Sequence, residues 1–195
     1  MDILGLHLSP RKNGNSALML EEFLRGAREA GAGAVSYSVA DLNIKHCMGC
    51  GACESTGRCV IQDDDMTELW PILAKVPMIA LSTSVFFYDV PSRGKALIDR
   101  TQPLWGRRYV LKDTETLRPE GKGFLMALGA TKGHDLFVPV GLCAKYFFDS
   151  IGFPKDFESL FFRQLEKKDD LKKRPDYLAA IYEAGFNFGK KRPGA

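Results

Sequence analysis

Ile3-Leu4-Gly5-Leu6-His7-Leu8 runs directly into Ser9-Pro10-Arg11-Lys12-Asn13-Gly14-Asn15-Ser16. The first six residues form a short apolar run, which reads as a buried strand, β1. The next eight form a polar loop. From Ser16 to Ala30, the apolar residues Ala17, Leu20, Phe23, Leu24, Ala27 and Ala30 recur at helical spacing, and Gly31 stops the helix. A strand, a polar loop and an amphipathic helix in that order are the opening of a parallel α/β sheet.

The same alternation continues along the chain. Ala34–Ala40, Val76–Ser82, Gly123–Leu128 and a weaker Phe157–Phe162 read as four further strands. Between them, helices are expected from the Asp63-Asp64-Asp65 run, whose carboxylates suit a helix N-terminus, from Pro91 onward, around Lys145-Tyr146-Phe147-Phe148, and over about 177–188. Residues 103–121 read as a long polar, basic excursion. Five near-continuous apolar strands separated by helices predict a doubly wound parallel sheet of order 2-1-3-4-5, covered on both faces. No repeat or linker divides the 195 residues, so a single domain spanning 1–195 is expected.

Composition narrows the function classes. Apolar residues make up 45% of the chain, charged residues 26%, and the formal charge is +3. That charge is too mild to imply nucleic acid or membrane binding, and no apolar run approaches the roughly 18 residues needed to span a bilayer. Met1-Asp2-Ile3-Leu4 has neither a basic n-region nor a cleavage pattern, so a cytoplasmic protein is expected.

On a doubly wound sheet, ligands bind outside the carboxyl ends of the strands, at the switch point between strands 1 and 3. The loop after β1 offers Ser9, Arg11, Asn13, Asn15 and Ser16 and ends at a helix N-terminus, whose free N–H groups and dipole favour an anion. A terminal phosphate suits it. The loop carries neither GxGxxG nor GxxxxGK[ST], so it is neither a dinucleotide fingerprint nor a nucleoside triphosphate loop. The alternative is that Asn15 or Ser16 simply caps the helix.

Four of the five cysteines fall in residues 41–62, an expected irregular insertion after strand 2. Cys47, Cys50, Cys53 and Cys59 are spaced C-x2-C-x2-C-x5-C, with Gly49, Gly51 and Gly57 among them. In a reducing compartment such crowding points to a metal or redox site. Glycines let the backbone wrap and aim N–H groups at sulfur. One [4Fe–4S] cluster is the simple solution. Tetrahedral zinc is the chemical rival, although zinc sites usually pair two separated C-x2-C knuckles. A metal-free group of reactive thiols is the third reading.

Taken together, these segments resemble the iron–sulfur flavoprotein branch of the flavodoxin-like, NADPH-dependent FMN reductase superfamily. Ser9–Ser16 resembles its FMN phosphate loop, and Cys47–Cys59 running on to Asp64-Asp65-Met66 its cysteine motif. Phe86-Phe87-Tyr88 with Lys95–Arg100 resembles its second FMN loop and helix, and Gly129–Gly133 with Lys145–Phe148 its third. Ser84, Phe86 and Asp89 depart from the residues common there, which are proline, tyrosine and glycine. The resemblance implies FMN held by Ser9, Arg11, Asn13, Asn15 and Ser16 at the phosphate. Around the ring it implies Ser84, Val85, Phe86, Phe87, Tyr88, Gly129, Ala130 and Thr131. It further implies a homodimer or a tetramer, with the cluster near a flavin at a subunit interface.

The implied function is electron transfer between one-electron carriers such as ferredoxin and one- or two-electron acceptors. The alternatives are an NAD(P)H-dependent FMN or quinone reductase without a working cluster, and a non-enzymatic flavin redox sensor. No acid or base is needed for simple electron transfer, so no catalytic side chain is named. His7 and His134 either touch the flavin or, more commonly, are loop or core histidines; His46 is a variant ligand not needed beside four cysteines, Cys143 reads as a buried small hydrophobe, and Phe147, Phe148, Phe161 and Phe162 as core. Glu166–Arg174 reads as a solvated charged face. Trp105, Arg107, Arg108 and Tyr109 either cover a flavin across an interface or pack on the surface.

Overall fold

A computed structural model describes residues 1–194, with Thr116 described by its backbone alone. Its centre is a five-stranded sheet of order β2-β1-β3-β4-β5, as expected. The strands are β1 (Ile3–His7), β2 (Ala34–Ser38), β3 (Met78–Ser84), β4 (Lys122–Leu128) and β5 (Glu158–Phe162). All neighbours are parallel, with Ile3 opposite Ala34 and Met78, and Met78 opposite Lys122. Every residue of β1 is buried, which is why its sequence is apolar on both faces instead of alternating. β5 is the weaker edge strand, mostly exposed.

Side chains alternate between two cores. Leu4, Leu6, Ile79, Leu81, Leu125 and Ala127 face one, with Leu97, Phe147 and Phe148 from the covering helices. Ile3, Met78, Ala80, Phe124 and Met126 face the other, with Phe23, Ile181 and Phe188. The helices are α1 (Asn15–Glu29), α2 (Ala52–Thr56), α3 (Met66–Leu73), α4 (Ser92–Asp99), α5 (Gln102–Tyr109), α6 (Val138–Ser150) and α7 (Pro175–Gly189). None among the described residues is long and apolar enough to cross a membrane.

Three expectations change. The excursion over 103–121 opens with α5, an ordered helix whose Leu104 and Gly106 are buried. The insertion over 41–62 contains the short α2. Of the aromatics read as core, Phe161 is outside it: 38% exposed on the edge strand and stacked on Phe137 at 4.7 Å. A strand at the sheet edge has a neighbour on one side only, so its side chains are less completely covered than those of the central strands.

Candidate functional site

An open cavity of about 520 Å³ lies at the carboxyl ends of β1, β3 and β4. It is lined by Ser9, Arg11, Asn13, Asn15 and Ser16 from the first loop, Ser84, Val85 and Phe86 from the second, and Gly129 and Ala130 from the third. Three segments distant in sequence thus meet where the strand order reverses. Phe87, Tyr88 and Thr131 are outside the lining. Gly14, Leu128, Leu165, Glu166 and Lys168 belong to it and were not singled out from the sequence.

The first loop is held from beneath by hydroxyl and imidazole bonds. Ser9 Oγ meets Ser84 Oγ at 3.1 Å, joining the loops after β1 and β3. His7 sits between Ser38 Oγ at 3.0 Å and Ser16 Oγ at 2.9 Å. Burial pushes its pKa down to about 4, although Asp41 acts the other way. His7 is therefore a neutral bridge that orients Ser16 from below the cavity. Gly14 caps α1 without a side-chain hydrogen bond, so the first-turn N–H groups have no side-chain cap at the cavity wall. The Asn15 amide is engaged elsewhere: Nδ2 donates to the Lys167 carbonyl at 2.9 Å, and Oδ1 accepts from the Leu171 N–H at 3.3 Å.

The second loop is a two-residue hairpin. Phe86 and Asp89 exchange both backbone hydrogen bonds, at 2.9 and 3.0 Å. Phe87 and Tyr88 occupy its tip with φ of 49° and 67°. Asn-Gly is the usual choice for that geometry, and bulky side chains there are strained. Phe87 is fully exposed. In the third loop, Arg163 donates to the carbonyls of Gly133 and His134, while the His134 ring pairs with Asp135 at 2.7 Å, outside the cavity.

A second cavity, of about 390 Å³, is lined by Cys47, Cys50, Cys53 and Cys59 together with Arg100, Gln102 and Pro103. Gly51 and Gly57 bracket α2 in left-handed conformations that let the chain reverse on either side of Cys53. The Gly49 N–H donates to Cys47 Sγ at 3.4 Å. Burial pushes the Cys53 thiol up, and the sulfurs of Cys59, Cys47 and Cys50 act in the same direction. Among the described residues, no three His, Cys, Asp or Glu side chains stand close enough to share one metal ion. His46 lies in a neighbouring hollow.

Both ends of the cysteine loop are tied to one guanidinium. Arg100, 1% exposed at the end of α4, donates to the carbonyls of Lys45 at 2.8 Å and Ile61 at 3.1 Å. It also grips Asp64 through both carboxylate oxygens, at 2.5 and 3.1 Å. Burial acts to raise the Asp64 carboxyl, but Arg100 and the N–H groups of Lys45 and Met66 outweigh it and hold it below the usual range. Asp64 is thus both a buried counter-ion to Arg100 and a helix-terminus carboxylate that accepts the first N–H of α3, from Met66. Asp65 precedes α3 without a side-chain cap bond and instead accepts from the Asn43 N–H.

α5 supports the loop from outside. Gly106 packs on it so closely that a Cβ there would lie 2.7 Å from the Cys53 carbonyl oxygen. Arg107 Nε donates to the Gly57 carbonyl at 2.9 Å. Arg108 and Tyr109 in turn hold the buried Asp149 of α6. Within the chain, Gly106 and Arg107 therefore brace the cysteine loop, Arg108 and Tyr109 hold α6, and none of Trp105–Tyr109 lines the first cavity. Asp99 at the C-terminal end of α4, a helix of eight residues, lines the second cavity, while the loop that leads into this helix supplies Phe86 to the first.

A family model described as NADPH-dependent FMN reductase matches residues 1–132. The chain belongs to the NADPH-dependent FMN reductase family. The matched stretch holds both the first loop and the cysteine run. An iron–sulfur flavoprotein of Archaeoglobus fulgidus is 35% identical over 112 residues, 57% of this chain and 50% of that protein. One of Methanocaldococcus jannaschii is 35% identical over 104 residues, 53% of each chain. These matches bear out the iron–sulfur flavoprotein branch of the family, and they span about half the length of those curated relatives. An NAD(P)H:quinone oxidoreductase from Methanothermobacter marburgensis has the same fold, with a TM-score of 0.68 at 18% identity, over 95% of this chain and 98% of that one. Leu165, Glu166 and Lys168 lie beyond the family match, which is why the family's motifs do not point to them.

Proposed function

We propose that the chain is a flavin-dependent oxidoreductase that binds FMN in the first cavity and a [4Fe–4S] cluster on Cys47, Cys50, Cys53 and Cys59. It would transfer electrons between a one-electron carrier, such as ferredoxin, and one- or two-electron acceptors. The observation that carries this reading is two cavities in one chain, one lined by hydroxyls, amides and Arg11, the other by four thiols. The donor sets suit the two groups: an anion-binding loop at a helix N-terminus for a phosphate, and thiolates with backbone donors for iron. A cluster takes its four thiolates on separate iron atoms, so they need not converge on one point. Bound there, FMN supplies one- or two-electron chemistry and the cluster one-electron chemistry.

The chain's own residues bind and orient. Ser9, Arg11, Asn13 and Ser16 take the phosphate, with Ser16 fixed by neutral His7. Ser84, Val85, Phe86, Gly129 and Ala130 wall the ring, with Phe87, Tyr88 and Thr131 at the rim. Arg100 and Asp64 keep the cysteine loop closed. Val138, Leu142 and Tyr146 form an exposed apolar stripe along α6, which supports a homodimer or a tetramer.

The family's description also favours NAD(P)H as electron donor. Mixing oxidised protein anaerobically with NADPH separates the two donors: rapid bleaching of the flavin supports NADPH, and bleaching only with reduced ferredoxin supports the carrier. The cluster is tested by reconstitution with iron and sulfide. Binding of no more iron than a Cys50→Ser control refutes it.

A further inference from the structure

The wall of the first cavity formed by Leu165–Lys168 comes from the connection between β5 and α7, far from the phosphate loop in sequence. That connection is fastened in place. Leu165 and Leu171 are buried at 4% and 0% exposure. Between them, the Asp170 carboxylate accepts the N–H groups of Lys167 at 2.7 Å and Glu166 at 3.2 Å, closing the turn on itself. The turn is then attached to the phosphate loop by Asn15, whose amide donates to the Lys167 carbonyl and accepts from the Leu171 N–H. An Asn side chain at the first position of α1, otherwise free to point at an anion, spends both of its polar ends on this attachment.

The turn carries four lysines. Lys172 pairs with Asp169 at 2.8 Å and Lys173 with Asp170 at 3.1 Å. Lys168 instead lines the cavity, as does Arg11 from the phosphate loop, with Glu166 the one acidic lining residue. Two cations on separate chain segments at one anion-binding loop match a dianionic monophosphate better than a neutral alcohol.

We propose that Lys168 is a second cation of the phosphate subsite, and that Asn15 is a positioning residue that latches residues 167–171 over the loop instead of binding the phosphate itself. The proposal rests on the reading of this cavity as the FMN site and adds to it a ligand from outside the family's matched segment. Its consequence is discrimination between FMN and riboflavin, which differ by that phosphate.

The test is titration of the deflavinated full chain with FMN and, separately, riboflavin, followed by flavin fluorescence. Lys168→Gln changes an exposed side chain, so it leaves folding intact. It weakens FMN binding about 3- to 10-fold, the range of one partly exposed charge-assisted contact, and leaves riboflavin binding unchanged. The loss shrinks as salt is raised. Asn15→Ala weakens FMN no more than Lys168→Gln does, and adding Lys168→Gln to it leaves only the Lys168→Gln loss, because Asn15 acts through Lys168. The proposal is overturned if Lys168→Gln changes FMN binding less than 2-fold, if it weakens both flavins equally, or if the two losses multiply. A wild-type chain that binds neither flavin refutes the FMN reading itself, and the proposal with it.

Discussion

Replacing Arg100 by methionine removes the guanidinium but keeps an unbranched side chain of similar reach. In the folded chain that guanidinium makes four hydrogen bonds, to Lys45 O, Ile61 O and both oxygens of Asp64. Its loss leaves the Asp64 carboxylate buried with only the N–H groups of Lys45 and Met66 as partners. Breaking a buried pair from one side costs about 3–5 kcal/mol. Against a total stability of about 5–15 kcal/mol, that is a large fraction. Arg100→Met should therefore shift the urea midpoint strongly downward, and limited proteolysis should cut within residues 46–60 before the sheet unfolds. The double variant Arg100→Met/Asp64→Asn removes the stranded charge as well, and about 1–3 kcal/mol should return. If Arg100→Met costs less than about 1 kcal/mol, or the double variant is no more stable than the single one, the clamp does not hold the loop in the manner described.

Three further outcomes follow from particular contacts. The unfolded chain protonates His7 near the ordinary value of 6.5, but the folded chain resists until about 4, so stability is full above pH 6.5 and falls as pH drops below it. At pH 5 the loss is about 2 kcal/mol, and a His7→Gln variant should show a flatter profile in parallel denaturation curves; equal slopes would remove His7 as the cause. Phe87→Gly relieves a positive-φ strain at a fully exposed position and should raise stability by about 1 kcal/mol, read as a melting temperature about 2–4 °C higher. An unchanged or lower melting temperature would mean that the tip is not strained in solution. Gly106→Ala places a methyl against the Cys53 carbonyl, so it should cost about 1–3 kcal/mol and lower the iron retained after reconstitution; a variant as stable and as iron-rich as the parent would show that α5 does not seat the loop.

The sheet was legible because burial on both faces leaves a short, largely apolar run in each of β1, β3 and β4, and because parallel order follows from the alternation with helices. The cysteine run was legible because it is local: all four thiols fall on one short loop. The first cavity was partly legible, through Ser9–Ser16, whose polar letters sit between a strand and a helix. Arg100 was visible only as a letter in a helix, because its meaning depends on Lys45, Ile61 and Asp64, all more than 30 residues away. Asp64 was legible as a helix-terminus carboxylate but not as the partner of Arg100, because local sequence cannot announce a distant buried partner. α5 looked like a loop because Arg107, Arg108 and Tyr109 are polar, yet each is satisfied by a neighbour that only the fold provides. The charged residues of Glu166–Arg174 formed the solvated face expected: Lys172 and Lys173 pair in solvent, and Glu166 and Lys168 are exposed where they border the cavity, a place that the charge pattern alone does not announce.

The pairing of flavin and cluster is tested most directly by assaying iron, acid-labile sulfide and FMN together on one anaerobically reconstituted sample. We expect about four iron and four sulfide per chain with one FMN, and loss of iron and sulfide but not FMN in Cys50→Ser. Iron near one per chain without sulfide, or full FMN binding with no more iron than the Cys50→Ser variant, would contradict it.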